Sequence, residues 1–173
     1  MVFVRIKKIK GKEYTYVVEN EWKSRGSRQK VKGYLGKAHR FDLKNDVDFR
    51  QFIKVDSVKN YIEGNGSSKI INDLVEWELF RFNVDKSVFL IDFGSKKIQK
   101  GKKDAVLLIN EGFLCSLTLT NLLEFKLLDE RTDSYRFARV FVEAGIKVPH
   151  EVFVDLFEKL YKSAEKPKSD FTW

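Results

Sequence analysis

The side chains of this chain that are best suited to chemistry are its cations, and they are concentrated near the N-terminus. Residues 1–40 contain 12 Lys or Arg and three Glu, whereas the whole chain of 173 residues carries a net charge of only +8. Such a surface binds phosphates and releases their counterions, and aromatic rings between the cations can stack on bases. We therefore predict a nucleic-acid interface made by Arg5, Lys7, Lys8, Lys10, Lys12, Tyr14, Tyr16, Trp22, Arg25, Arg28, Lys30, Lys32, Tyr34, Lys37 and Arg40.

A second group of lysines lies in the stretch GSKKIQKGKK, between two apolar segments. The stretch suits a hairpin loop, which could act as the wing of a winged-helix-like unit and lie on a nucleic-acid backbone. Lysine-rich loops are also common as simple solubility features, so both interpretations stay open. As a nucleic-acid contact, the group comprises Lys96, Lys97, Lys100, Lys102 and Lys103.

Carboxylates near apolar segments raise the alternative of a metal-dependent nuclease. A restriction-type nuclease needs an acid and then an acid-x-Lys on the next core strand, and neither LIDFGSK nor LINEGF has that spacing. Glu76 and Glu78 cannot share a helical face because they are two residues apart. We predict capping or surface roles for these two residues, Asp92 and Glu111, and we expect no catalytic residue, metal or cofactor.

One cysteine and two histidines are too few for a structural zinc site, so we expect Cys115 to be a buried thiol and assign no chemistry to His39 or His150. Arg5 and Lys7 interrupt any apolar run at the N-terminus, which argues against a signal peptide. No apolar segment reaches 18 residues. We expect a soluble, cytoplasmic protein with no membrane partner.

The N-terminal cations must be positioned by β-strands. The segments VFVRIKKI, YTYVVENEW and RQKVKGYL are rich in β-formers and separated by turns at KGKE and SRGS. Alternation in the third segment places Val31 and Leu35 on a packing face. The opposite, cationic face would carry Arg28, Lys30, Lys32 and Tyr34. Residues 1–40 are thus predicted to form a basic, three-stranded antiparallel β-meander.

The remainder of the chain is predicted to be mainly α-helical. DVDFRQFIKVDSVKNYIEG has helical spacing, with Asp46 or Asp48 as the N-cap and an interruption at 55–57. Four further helical segments and a short β-hairpin near 87–110 follow. The predicted fold class is α+β, with a mainly α-helical body at 41–165 and a flexible tail at 166–173. A leftover apolar face on the last helices would allow a homodimer.

Residues 4–37 resemble the opening of prokaryotic DDE-type insertion-sequence transposases. Those commonly begin with a basic strand, a Gly-Lys turn, a Tyr-rich strand containing V.E, and then G..RQ..V.YLG. In the transposases this region precedes the catalytic domain and is thought to contact the ends of the element, so the resemblance implies DNA contact. The matching residues are Arg5, Lys7, Lys8, Gly11, Lys12, Tyr14, Tyr16, Val18, Glu19, Gly26, Arg28, Gln29, Val31, Tyr34, Leu35 and Gly36.

The rest of the chain departs from that family. Its catalytic domain is of the ribonuclease-H type, with two Asp and a Glu that bind two metal ions. Here FLIDFGSKKI offers only Asp92 in the place of the first carboxylate. The leading hypothesis is therefore a DNA-binding protein of prokaryotic or archaeal mobile-element type, with RNA as another partner. The alternatives are a metal-dependent nuclease or degenerate transposase, and an RNA-binding or protein-interaction module.

Overall fold

The computed structural model describes residues 2–129 and 131–164, so the whole of the predicted tail at 166–173 lies outside the described residues. The strands are β1 (Val2–Ile9), β2 (Lys12–Lys23), β3 (Gly26–Arg40), β4 (Phe89–Asp92), β5 (Lys97–Lys100), β6 (Lys103–Ile109) and β7 (Gly112–Leu114). The helices are α1 (Phe49–Ile53), α2 (Val58–Gly64), α3 (Ser67–Arg81), α4 (Ser116–Leu123), α5 (Asp133–Ala144) and α6 (His150–Ala164).

The predicted fold class is wrong, because one mixed sheet of seven strands joins the three N-terminal strands to the strands between residues 89 and 114. Its strand order is β1-β2-β3-β6-β5-β4, and β7 pairs with β6. The first three strands are antiparallel neighbours, but β3 and β6 are parallel, with Lys37 opposite Ala105 and Arg40 opposite Leu108. The architecture is therefore mixed α/β. Sequence patterns can indicate hairpins between neighbouring segments, whereas a parallel pairing joins strands that are distant along the chain.

Strand β6 lies at the centre of the packing. Ala105, Val106 and Leu107 are buried in succession, which is typical of a strand covered on both faces. Leu107 packs in the main core with residues of α3, α5 and α6. Val106 packs on the other side, in a smaller cluster with Ala38 and Cys115. The continuous apolar run DAVLLIN is explained by this double coverage.

The contact between β3 and β6 depends on a glycine. Gly36 has φ +132°, and a Cβ at this position would lie 2.5 Å from the backbone oxygen of Asp104. A side chain would therefore meet immobile backbone as well as an unfavourable dihedral angle. Glycine at this position lets β3 leave the N-terminal hairpin and approach the strand that leads into the core.

The helical segment after β3 is confirmed to be interrupted. α1 ends at Ile53 and α2 begins at Val58, after a short break. The Asp48 side chain caps α1 by accepting a hydrogen bond from the Gln51 backbone N–H at 2.8 Å. Among the described residues, no helix has the length and apolar character needed to cross a membrane.

Candidate nucleic-acid interface

Strand β2 separates acidic side chains from tyrosines. Successive side chains of a strand point to opposite faces, so Glu13, Glu19 and Glu21 lie on one face, and Tyr14 and Tyr16 lie on the other. These three glutamates are all the acidic residues of the first 40. We call the two sides of β1–β3 the glutamate face and the tyrosine face.

The pairing of β2 with its neighbours builds two cross-strand rows on the tyrosine face. Residues directly opposite each other in antiparallel strands share a face. Arg5 of β1 lies opposite Tyr16, which lies opposite Tyr34 of β3. In the second row, Lys7 lies opposite Tyr14, which lies opposite Lys37. Each row therefore combines a cation from the outer strand with at least one aromatic ring.

The three tyrosines form a contiguous aromatic surface. The ring centroid of Tyr34 lies 5.3 Å from that of Tyr16 and 6.4 Å from that of Tyr14, in tilted arrangements. Tyr34 is 55% exposed, and its two partners are half-buried. Partial burial, followed by the neighbouring Tyr16, Tyr14 and Asp104, raises the pKa of the Tyr34 hydroxyl, so this group is protonated at neutral pH.

The cations of the tyrosine face keep their charge available for a ligand. The Arg5 guanidinium donates a hydrogen bond to the neutral side-chain oxygen of Gln29, a contact that crosses β2. Within the described residues, Arg5, Lys7 and Lys37 form no ion pair with a carboxylate. An anion that reaches this face therefore does not have to displace a protein carboxylate first.

The second group of lysines meets this face at the end of β3. His39 follows Lys37 by two residues and packs edge-on against Phe89, with 5.0 Å between ring centroids. The Lys100 ammonium lies 5.5 Å from the Phe89 ring centroid. Burial, together with the positive charges of Lys100 and Lys37, lowers the pKa of His39. The end of the tyrosine face thus has a local excess of positive charge.

An open cleft of about 660 Å³ lies where this end of β3 meets the turn between β1 and β2. Its lining includes Lys8 and Lys12 from the first hairpin, Lys37 and His39 from β3, and Phe89 from β4. Glu13 and Arg40 also line it, so the cleft contains more cations than carboxylates and lies beside the tyrosine rows.

On the glutamate face, by contrast, each of the three carboxylates is paired with a cation. The Lys32 ammonium nitrogen lies 2.7 Å from a carboxylate oxygen of Glu19, and the Lys30 ammonium nitrogen lies 3.4 Å from a carboxylate oxygen of Glu21. The Arg40 guanidinium binds both carboxylate oxygens of Glu13, at 2.7 and 2.9 Å. The hydrogen bond from Arg40 lowers the pKa of the Glu13 carboxyl, and the hydrogen bond from Lys32 does the same for Glu19.

The cationic face expected for β3 is split by two register shifts. In the pairing of β2 with β3, strand β3 contains two extra residues that have no partner in β2. One lies between the partners of Thr15 and Tyr16, and the other lies between the partners of Val17 and Val18. Tyr34 consequently pairs with Tyr16, whereas Lys30 pairs with Glu19 on the opposite face. A bulge adds one residue to a strand and resets its alternation, so strict period-two counting over β3 gives the wrong side for Tyr34.

The outer end of the β2–β3 hairpin is exposed on both sides. Val31, predicted to lie on a packing face, is 61% exposed, whereas Leu35 packs against the smaller cluster. Trp22 is 84% exposed and follows Tyr14 and Tyr16 on the tyrosine face. Arg25 lies in the turn beyond it.

The remaining cations predicted for the interface are dispersed. Lys8 lies opposite Glu13, and Arg28 lies opposite Glu21. Lys10 lies in the β1–β2 turn and Lys102 in the β5–β6 turn. Lys96 turns away to form an ion pair with Glu124 at 2.8 Å. Lys97 lies opposite Asp92, and Lys103 lies opposite Lys100.

The carboxylates considered for a nuclease site do not form a cluster in the described residues. Asp92 accepts hydrogen bonds from the Gly94 and Ser95 backbone N–H groups. Glu78 is buried, accepts from the Lys147 backbone N–H at 2.9 Å and forms an ion pair with Arg81. Within the described residues, no three His, Cys, Asp or Glu side chains form a group that could hold a metal ion.

The prediction that Cys115 is a buried thiol is confirmed. Cys115 is buried, and burial raises the pKa of its thiol. His150 is the first residue of α6.

Sequence reasoning named the tyrosines as interface residues but did not predict that they lie on the opposite face from the glutamates. The odd and even positions of YTYVVENEW already separate Tyr14 and Tyr16 from Glu19 and Glu21, so strand periodicity alone could have found this. Gln29, His39 and Phe89 carried no comparable signal. The pairing of β2 with β3 brings Gln29 to this face. The pairings of β3 with β6 and of β4 with β5 bring His39 and Phe89 together.

No protein-family model, curated protein or solved structure matches this chain. The resemblance of residues 4–37 to transposases thus stays a prediction, and the functional argument depends on the geometry of the two faces.

Proposed function

We propose that this protein binds nucleic acid, and DNA in the first instance, through the tyrosine face of β1–β3. The observation that supports this most directly is the sorting of charge by the strands. Arg5, Lys7 and Lys37 share a face with three tyrosines, and the glutamates of the same strands lie on the other face. A polyanion approaching the tyrosine face meets unpaired cations, whereas on the glutamate face Lys30, Lys32 and Arg40 are already paired with carboxylates.

Binding in this arrangement is mainly electrostatic. Each cation that contacts a phosphate releases counterions, so affinity falls as salt rises. Lys100 and the cleft at the end of β3 extend the contact, and Trp22 extends it at the other end of the strands. Contacts to phosphates position a protein without reading sequence. The resemblance to transposase N-termini supports the proposal, as does the cytoplasmic setting expected from the sequence.

The test compares two triple substitutions of matched composition. One variant carries Arg5→Gln, Lys7→Gln and Lys37→Gln on the tyrosine face. The other carries Arg28→Gln, Lys30→Gln and Lys32→Gln on the glutamate side. Each removes one arginine and two lysines, so the net charge changes equally. Fluorescence anisotropy with labelled DNA at two salt concentrations measures affinity and its salt dependence.

We expect the tyrosine-face variant to lose affinity by about tenfold or more, with a salt slope reduced by about two to three. The glutamate-side variant should lose no more than about threefold, because Lys30 and Lys32 are already engaged by carboxylates and Arg28 lies opposite Glu21. Equal losses in the two variants would show that total charge rather than the tyrosine face governs binding. Failure of the unsubstituted protein to bind DNA or RNA would refute the proposed function.

A further inference from the structure

We infer that the tyrosine face takes single-stranded rather than duplex nucleic acid, with bases stacked on Tyr14, Tyr16 and Tyr34. This inference rests on the proposed function and adds a substrate class to it. The ligand is identified by chemistry: a flexible polyanion whose flat aromatic bases are unpaired and can be presented to a protein surface.

The first argument is the composition of each row. In one row Arg5 is followed across the strands by Tyr16 and Tyr34, and in the other Lys7 is followed by Tyr14. A phosphate held by the β1 cation places the attached base over the adjacent rings of β2 and β3. The two rows are two residues apart along the strand, about 7 Å, so consecutive rows could take successive nucleotides.

The second argument is the exposure of the rings. Tyr34 is 55% exposed although its ring contacts two other aromatic rings. In a duplex the bases are already paired and stacked, so a flat sheet face would meet only sugars and phosphates. Only an unpaired strand offers base planes that can cover these rings, and stacking of this kind tolerates any base.

The third argument is charge complementarity along the direction of the strands. Lys37, and beyond it Lys100 beside Phe89, lie at one end of the tyrosine cluster, and the exposed Trp22 lies toward the other. One carboxylate, that of Asp104, contributes to raising the pKa of Tyr34, after burial and the two neighbouring tyrosines. A nucleic-acid strand bound from Trp22 toward Lys37 would therefore contact an aromatic ring at one end of the face and cations at the other end.

The experiment separates stacking from charge. Three labelled probes are titrated: a thymidine oligonucleotide of about 15 nucleotides, an abasic oligomer of the same length and charge, and a duplex of the same length. We expect the thymidine strand to bind about tenfold or more tightly than either of the other probes. A uridine oligomer in parallel distinguishes RNA from DNA as the source of the single strand.

Two double variants then assign the preference to the rings. Tyr16→Leu with Tyr34→Leu removes both rings of the first row and should cost about tenfold or more for the thymidine strand, but less than about twofold for the abasic oligomer. Tyr16→Phe with Tyr34→Phe keeps the rings and should bind within about twofold of the unsubstituted protein. Tyr135→Leu, at an exposed tyrosine of α5, is the matched control and should have no effect.

Equal binding of the thymidine and abasic strands, or tighter binding of the duplex, overturns the inference while leaving the proposed function intact. An equal loss in the phenylalanine and leucine variants also overturns it, since the hydroxyls rather than the rings would then carry the contact. Failure to bind any probe overturns both proposals. The probe comparison uses the unsubstituted protein, so it decides the matter even where a leucine variant does not fold.

Discussion

The tyrosine face and the glutamate face are made by the same three strands and differ in what their cations contact. On the glutamate face, Lys30, Lys32 and Arg40 are engaged by three carboxylates. On the tyrosine face, Arg5, Lys7 and Lys37 lie beside aromatic rings. A count of charges over residues 1–40 treats these cations alike, but only the second set offers unpaired charge to a ligand.

The two faces also have different surroundings. Val4 and Val17, which share the glutamate face, line a groove of about 860 Å³ whose opposite wall includes Leu117 and Val142 from α4 and α5. The glutamate face is therefore partly turned toward the helices, whereas the tyrosine face of the same strands carries exposed rings. The groove against α4 and α5 is therefore on the glutamate face, and the exposed tyrosine is on the other face.

The largest loss of stability is expected from a substitution at Gly36, where β3 approaches β6 and on which both faces depend. Gly36→Ala would place a Cβ 2.5 Å from the Asp104 backbone oxygen at φ +132°. We expect a loss of about 3 kcal/mol or more in the free energy of unfolding, because neither backbone can yield without disturbing the β3–β6 pairing. Denaturant unfolding monitored by circular dichroism measures it.

Gly33→Ala is the control for this substitution. A Cβ at Gly33 meets nothing within 4 Å, and its φ is not positive. We expect a change within about 0.5 kcal/mol. Equal destabilisation by the two alanines would mean that β3 does not depend on close approach to β6.

A smaller effect is expected from the buried hydroxyl on the glutamate face. Thr15 is fully buried and donates a hydrogen bond to the Gly36 backbone oxygen at 2.7 Å. Thr15→Val keeps the shape of the side chain and removes the donor, which should cost about 1–2 kcal/mol of unfolding free energy. Thr15→Ser, which keeps the hydroxyl, should recover part of this loss. A neutral effect of valine would show that this hydrogen bond does not stabilise the fold.

The smallest effect concerns the pH dependence of stability that is linked to one titrating side chain on each face, Glu19 and His39. Lys32 lowers the pKa of Glu19 below its ordinary value of 4.5, and burial with Lys100 and Lys37 lowers the pKa of His39 below 6.5. Stability linked to Glu19 is present above pH 4.5 and is lost as pH falls through its folded-state pKa. Stability linked to neutral His39 declines as pH falls below 6.5, because the unfolded chain takes up the proton first.

A bound oligonucleotide should affect only one of these groups. Phosphates near Lys37 and Lys100 offset the positive charge that disfavours the imidazolium, so the pKa of His39 should rise on binding. The pKa of Glu19, on the other face, should stay where it is. NMR titration of both side chains with and without a thymidine oligonucleotide measures this. A shift of Glu19 without one of His39 would place the ligand on the wrong face.

Local features were predictable from the sequence where short-range patterns decide them. The break between α1 and α2 and the cap at Asp48 follow from helix-terminus rules, and the basic character of the first 40 residues is a matter of composition. Strand periodicity also contains the separation of Tyr14 and Tyr16 from Glu19 and Glu21. The burial of Cys115 follows from the apolar run around it.

Only the tertiary structure decided how those strands are used. A mainly helical body was expected, but the parallel pairing of β3 with β6 makes a mixed sheet. This pairing could not be predicted, because hydrogen bonds between strands that are distant along the chain produce no local sequence pattern. Two register shifts placed Tyr34 with Tyr16 and left Lys30 with the glutamates, since an extra residue resets alternation. The sequence by itself determined that the N-terminus is basic and aromatic. Strand pairing determined which of those charges remain unpaired, because a cation is available for a ligand only where no carboxylate lies opposite it.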